Sequence, residues 1–265
     1  MAKYKKKVAR QLQQDRFRDT TMGLFDRLGD ALEGKGKTIL YGLGGLIVVG
    51  LLVVFFVKWN NRKNDEAREA MGRAITIATT PVSPSGPGTS TSFGSDQERA
   101  QRAVAEFEKV AAKYGDPYRS QAQFFAASNR LVLDRPKAIS ELTELTKSSV
   151  KQVAILAKFA LGQAKESDGK YDEAAQLYQE IARANDSTVT PESANLRLAK
   201  VYVKQGKKKE AADLLFNIVD ASRKAKDSDQ LPKPPSSAAR DAATELQKID
   251  PERYAQLPPE APMLG

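Results

Sequence analysis

The chain of 265 residues contains no cysteine and no histidine. Without cysteine there is no disulfide framework and no thiolate metal site. Without histidine the commonest general base and metal ligand is missing. A catalytic centre would have to rest on carboxylates alone, yet Asp and Glu mostly alternate with Lys and Arg along stretches of helical period, as solvated faces do. The residues predict a protein that is not an enzyme and that holds no metal and no cofactor.

A further absence is local. The run "TILYGLGGLIVVGLLVVFFV", Thr38 to Val57, carries no charge over twenty residues. At 1.5 Å per residue it is about 30 Å long, the thickness of a bilayer's hydrocarbon core. Fourteen of its residues are Leu, Ile, Val or Phe. At roughly 0.3 to 0.6 kcal/mol each, they favour insertion by about 4 to 8 kcal/mol before the glycines subtract some. The residues leading into it, Ala31 to Thr38, fit a relaxed phosphate-loop pattern, but such a loop needs a strand before it and an amphipathic helix after it. Met22, Phe25, Leu28 and Leu32 precede it at helical spacing, and Ala31 stands where the strict pattern has its first glycine. A cleaved signal sequence has a shorter apolar core followed by small residues, whereas "KWNNRKND" follows here. The expectation is a retained single transmembrane helix. Lys35 and Lys37 mark one interface, and Tyr41, Lys58, Trp59, Arg62 and Lys63 serve as interfacial aromatics and snorkelling cations.

The formal charge of +9 is concentrated at the amino terminus, where residues 1–37 hold ten Lys or Arg against five Asp or Glu. This region reads as a basic arm with an amphipathic helix, held beside anionic headgroups. No nucleic-acid partner is expected, because "KYKKKVARQ" lacks a folded reading module. Flanking charge does not set the orientation: four cations lie in the twenty residues before the run and five in the twenty after it.

Beyond the apolar run the chain is organised by its breaks. Thr79 to Ser95 is rich in Pro, Gly, Ser and Thr and reads as a mobile insert. A proline-rich linker begins at Asp227, a capping helix is expected at about 236–249, and "QLPPEAPMLG" reads as an extended tail. Between these breaks lies a repeat. Leu161 and Gly162, followed by Gly169, Tyr171, Ala174, Tyr178 and Ile181, have their counterpart at a shift of 37 residues in Leu198 and Ala199, followed by Tyr202, Gly206, Ala211, Leu215 and Ile218. An earlier copy runs through Phe125, Ala126, Ala138, Leu142 and Leu145, with Leu133 where the turn glycine belongs. Ala103, Phe107 and Val110 suit the second helix of a still earlier unit whose first helix would be Asp65 to Ile77. The pattern resembles the tetratricopeptide repeat, in which small residues let paired helices approach and large ones fill the space between them. Phe107, Tyr171, Tyr178 and Tyr202 then read as core residues.

The fold class expected is all-α: a transmembrane helix (38–57) followed by a tetratricopeptide-like α-solenoid over 58–226. Stacked units of that kind expose a long concave surface suited to polypeptides. On the repeat's geometry the groove would be lined by Gln123, Arg130, Phe159, Gln163, Glu166, Lys200 and Lys204. The repeat's peptide-carboxylate clamp is not supported, since its lysine and asparagine positions hold Gln123, Phe159, Leu196 and Ala127.

From Lys35 to about Val219, the order of basic arm, anchor, "WNNRKNDEAREA" helix and short degenerate repeats resembles the single-span bacterial membrane proteins of the YfgM type, an ancillary translocon subunit. The resemblance implies an inner-membrane protein with its amino terminus in the cytoplasm and its repeats in the periplasm. Its partners would be translocon subunits, periplasmic chaperones or client polypeptides, besides the lipid bilayer. The alternative is a structural adaptor subunit of another membrane assembly.

Overall fold

The computed structural model describes residues 62–83, 92–226, 228 and 230–260, and regular structure among them is helical apart from two isolated bridges. The basic arm, the apolar run Thr38–Val57, residues 84–91 of the insert and the last five residues lie outside the described residues. Among the described residues no helix is long and apolar enough to cross a membrane. The chain divides into two units, Met1–Asn64 and Asp65–Gly265, and the second carries the helical hairpins.

In chain order the described helices are α1 (62–79), α2 (Asp96–Lys113), α3 (Tyr118–Arg130), α4 (Arg135–Leu145), α5 (Lys151–Ser167), α6 (Tyr171–Ala184), α7 (Pro191–Lys204), α8 (Lys208–Lys224), α9 (Ser237–Ile249) and the short α10 (Pro251–Tyr254). From α2 to α9 each helix packs on its neighbour in the chain. α3 also touches α5, and α7 also touches α9. The core accordingly falls into four clusters in chain order. Ala67, Met71 and Ala74 of α1 meet Ala103 and Phe107 of α2 and Ala122 of α3, so α1 and α2 pair across the insert. Ala127, Leu142 and Leu161 join α3, α4 and α5. Ile155, Ala174, Tyr178, Ile181 and Val201 join α5, α6 and α7, and Ala199, Leu215 and Leu246 join α7, α8 and α9. Stacking of this kind, in which each hairpin leans only on its neighbours, is consistent with an α-solenoid.

The interval of 36 to 37 residues is visible in the packing. Ala138, Ala174 and Ala211 are each 0% exposed, and a methyl there lets the two helices of a hairpin cross closely. Leu142, Tyr178 and Leu215, four residues on, are fully buried and fill the space beside that crossing. In the middle unit the large residue is an aromatic ring, and the opposite helix makes room by having no side chain at all. A Cβ on Gly162 would stand 2.8 Å from Tyr178 Cε1.

Two of the hairpin turns are built on the left-handed glycine foreseen from the spacing. Gly169 (φ 71°) and Gly206 (φ 77°) follow α5 and α7. The Lys170 N–H donates to the Lys165 carbonyl at 2.9 Å and the Gly169 N–H to that of Glu166 at 3.1 Å. Lys207 and Gly206 repeat the pair on Tyr202 and Val203. This double bond is the Schellman closure, which satisfies carbonyls a helix end leaves open. The earliest of the three copies solves the problem differently. With Leu133 at the glycine position, α3 stops at Arg130, and the Leu133 and Asp134 N–H groups both donate to the Arg130 carbonyl. The Asp134 side chain then caps α4 by accepting from the Lys137 N–H at 3.1 Å.

The breaks are anchored at their ends. Val82 and Phe93 bridge across the insert, with the Ser83 N–H on the Phe93 carbonyl at 2.9 Å. Lys226 and Pro232 bridge across the linker before α9. After α9 the chain is not simply extended: α10 forms, and Leu257 is buried in the cluster of α7, α8 and α9.

Candidate protein-binding groove

The residues expected to line a groove come from α3, α5 and α7, the first helix of each of three successive hairpins. They divide between two hollows and the core. Gln163, Glu166 and Lys204 come together with Ser167, Tyr171 and Arg197 around an open hollow of about 410 Å³ formed by α5, α6 and α7. Gln123 and Arg130 line another hollow, of about 380 Å³, with Glu108, Glu141, Glu144 and Leu145 among their neighbours. Phe159 and Lys200 line neither. The Phe159 ring packs on that of Tyr178, centroids 5.8 Å apart, and Lys200 is half-buried on α7.

Arg130 differs most from an open groove residue. It is only 7% exposed, and its two terminal nitrogens donate to Glu108 of α2 and Glu141 of α4. One guanidinium thus ties three helices together. A charge so placed is stable only while its carboxylates remain, since removing one partner leaves the other uncompensated.

Glu166, which lines the first hollow, accepts at 3.1 Å from the hydroxyl of the fully buried Tyr178. Burial pushes the Tyr178 phenol well above its usual range, and the charge of Glu166 and the hydrogen bond to it act in the same direction. The hydroxyl therefore remains a donor, and it occupies the one carboxylate of this hollow. Tyr171 is half-buried, contributing both to the core and to the hollow's wall. Tyr202 packs against the same cluster, its hydroxyl accepting from Gln179 at 2.8 Å.

Arg197, Ser167 and Tyr171 were not among the expected groove residues. The signal for Arg197 was present: it precedes Lys200 by three residues and Lys204 by seven, which puts all three on one stripe of α7. Ser167 and Tyr171 flank the α5–α6 turn, and only the folded turn brings them to the hollow. Among the described residues no group of acidic side chains is gathered as a metal site would need.

Hairpins stacked in chain order, with hollows lined by side chains from three successive helices, define an all-α repeat protein. The family model for the tetratricopeptide repeat matches residues 133–189 and, overlapping, 159–226. Those residues run from the turn before α4 to the end of α8, so the chain contains tetratricopeptide repeats. No curated protein and no solved structure matches it.

Proposed function

We propose that this chain is a membrane-anchored scaffold that binds proteins through its tetratricopeptide repeats. In this reading the amino terminus is in the bacterial cytoplasm, and the repeats work at the periplasmic side of the Sec translocon and its chaperones. The observation that carries the binding role is the α5–α7 hollow. Its polar and charged side chains, Gln163, Glu166, Arg197 and Lys204, face an open concavity of about 410 Å³, and the apolar residues around it are committed to the core. The anchor is supported by the charge-free run Thr38–Val57. The translocon setting is supported by the order of arm, anchor, emerging helix and repeats, which resembles the YfgM type. Binding rather than catalysis fits a chain without histidine or cysteine.

Co-purification of the full chain in mild detergent tests this reading. Translocon subunits with a spectrum of clients are expected. A single stoichiometric partner of another kind would replace the translocon scaffold with a structural adaptor, and the absence of any bound protein would remove the scaffold reading itself.

A further inference from the structure

The stripe Arg197, Lys200 and Lys204 on α7 forms no ion pair among the described residues. Five carboxylates lie on α5 and α6 and in the turn between them, and all five are already committed. On α5 and α6 and in the turn between them, Asp168 holds Arg135 at 2.7 Å, Glu173 holds Lys165 at 2.5 Å and Glu180 holds Lys158 at 2.7 Å. Asp172 accepts from Gln205 at 2.8 Å, and Glu166 accepts from the Tyr178 hydroxyl. The α7 cations Arg197 and Lys204 are left facing a concavity they share with Gln163 and Tyr171.

We infer that this groove takes an acidic peptide segment, whose side-chain carboxylates pair with Arg197 and Lys204, and that Lys200 between them adds to the attraction. The inference rests on the protein-binding reading above and names the partner's chemistry. Arg197 and Lys204 lie seven residues apart on one helix, a rise of roughly 10 Å. In an extended peptide, side chains two residues apart share a face about 7 Å apart, and the flexible arginine and lysine stems span the difference. Segments with Asp or Glu at alternate positions fit. Arg197 suits a bidentate carboxylate contact, and Lys204 acts as a mobile point charge. Glu166 in the same hollow is the one opposing charge, and the Tyr178 hydroxyl already engages it. The partner's side chains supply the charge, so a free carboxy terminus is not required.

The test is fluorescence anisotropy with the purified full chain in mild detergent and a labelled decapeptide of alternating Glu and Ala, amidated at its carboxy terminus. The amidated peptide is expected to bind, and its Glu-to-Gln counterpart to bind at least tenfold more weakly. Raising salt from 0.1 to 0.5 M is expected to weaken the acidic peptide severalfold. Arg197→Gln with Lys204→Gln is expected to cost at least tenfold without lowering the melting temperature. Lys137→Gln with Lys248→Gln removes the same net charge from exposed sites elsewhere and is expected to cost less than twofold. The charge-reversed pair Arg197→Glu with Lys204→Glu should instead bind a Lys–Ala peptide, a gain that misfolding cannot mimic. Equal binding of the Gln peptide, equal loss in the two double-Gln variants, or tighter competition by a single-stranded oligonucleotide would overturn the inference. So would a requirement for a free carboxy terminus. The titration does not depend on which proteins co-purify, so the groove's chemistry and the scaffold reading fail separately: partners retained by the double-Gln variant would sink only the former.

Discussion

Adding one methyl group to Gly162 sets two effects of known sign against each other. Alanine in place of glycine within a helix gains about 1 kcal/mol of intrinsic helix propensity. The new Cβ, however, would stand 2.8, 3.1 and 3.3 Å from three carbons of the Tyr178 ring. The ring has little room to retreat: it is fully buried, Phe159 packs on it at 5.8 Å, and Glu166 holds its hydroxyl at 3.1 Å. Overpacking of this kind costs about 1 to 3 kcal/mol, so Gly162→Ala should be net destabilising by about 1 kcal/mol. The neighbouring units show the remedy, because the equivalent pairs are Ala126 with Leu142 and Ala199 with Leu215, all buried. Tyr178→Leu alone should open a cavity beside Gly162 and cost about 3 kcal/mol. Gly162→Ala added to it should then stabilise, because the methyl enters space the ring has left. The effect of one substitution therefore changes sign with the other, a coupling of about 2 kcal/mol. Urea denaturation of the full chain in mild detergent, followed by helical circular dichroism, would measure all four corners of this cycle. A Gly162→Ala effect of the same sign in both backgrounds would refute the argument that the ring, and not the helix, dictates glycine here.

The packing and charge of the hairpins set three further outcomes. Ala174→Arg should cost several kcal/mol, because a long charged side chain would enter a site that is 0% exposed; Glu173→Arg, at a position 51% exposed, loses the pair with the mostly buried Lys165 side chain (16% exposed) and should lower the melting temperature far less than Ala174→Arg. Substitutions around Arg130 should rank by exposure. Arg130→Ala should cost about 2 to 3 kcal/mol, Glu141→Gln (31% exposed) less, and Glu108→Gln (58% exposed) least in thermal melting, since water compensates the outer carboxylate. Asp186 is held down to about 2 by hydrogen bonds from the Thr188 side chain and backbone and from Lys151. A carboxylate lowered in the folded state stabilises above its unfolded value near 4 and loses that contribution as pH falls toward 2. Asp186→Asn should therefore flatten the fall in melting temperature between about pH 4 and pH 2; an unchanged acid limb would exclude Asp186 as its source.

The register of the repeats was legible because small and large residues alternate at fixed offsets. Gly162, Ala174 and Tyr178 could be matched to Ala199, Ala211 and Leu215 without any knowledge of contacts. Gly169 and Gly206 were legible for a related reason, since a left-handed residue ending a helix is most often glycine, with asparagine the usual substitute, as Asn185 is after α6. The turn at Leu133 was not, because a side-chain cap from Asp134 replaces the glycine and any polar residue near a helix start could have done so. Arg130 illustrates a different gap. Its position on α3 marks the groove face, but its burial depends on Glu108 and Glu141, 22 and 11 residues away on two other helices. One-dimensional periodicity carries no information about such cross-helix pairing. The same holds for Leu257, whose proline-rich surroundings read as tail and whose side chain joins a core formed by residues up to 61 positions earlier.

That last contact has a consequence for assembly. An array of hairpins is in principle a polymerising unit, because the face one hairpin shows to the next can also be shown to another copy of the chain. Here the final face is closed from within. α9 lays Ala238, Ala242 and Leu246 inward and leaves Arg240, Asp241 and Lys248 to water. The chain then folds back, with Arg253 pairing with Asp213 and covering the Phe216 ring, and Arg223 donating to the Pro258 carbonyl. This clasp engages α7, α8 and α9, so hairpins could be added or lost upstream of α7 without disturbing it. Among the described residues, the apolar face of α8 is therefore covered by the chain's own α9 and Leu257, as a capping unit covers a repeat array.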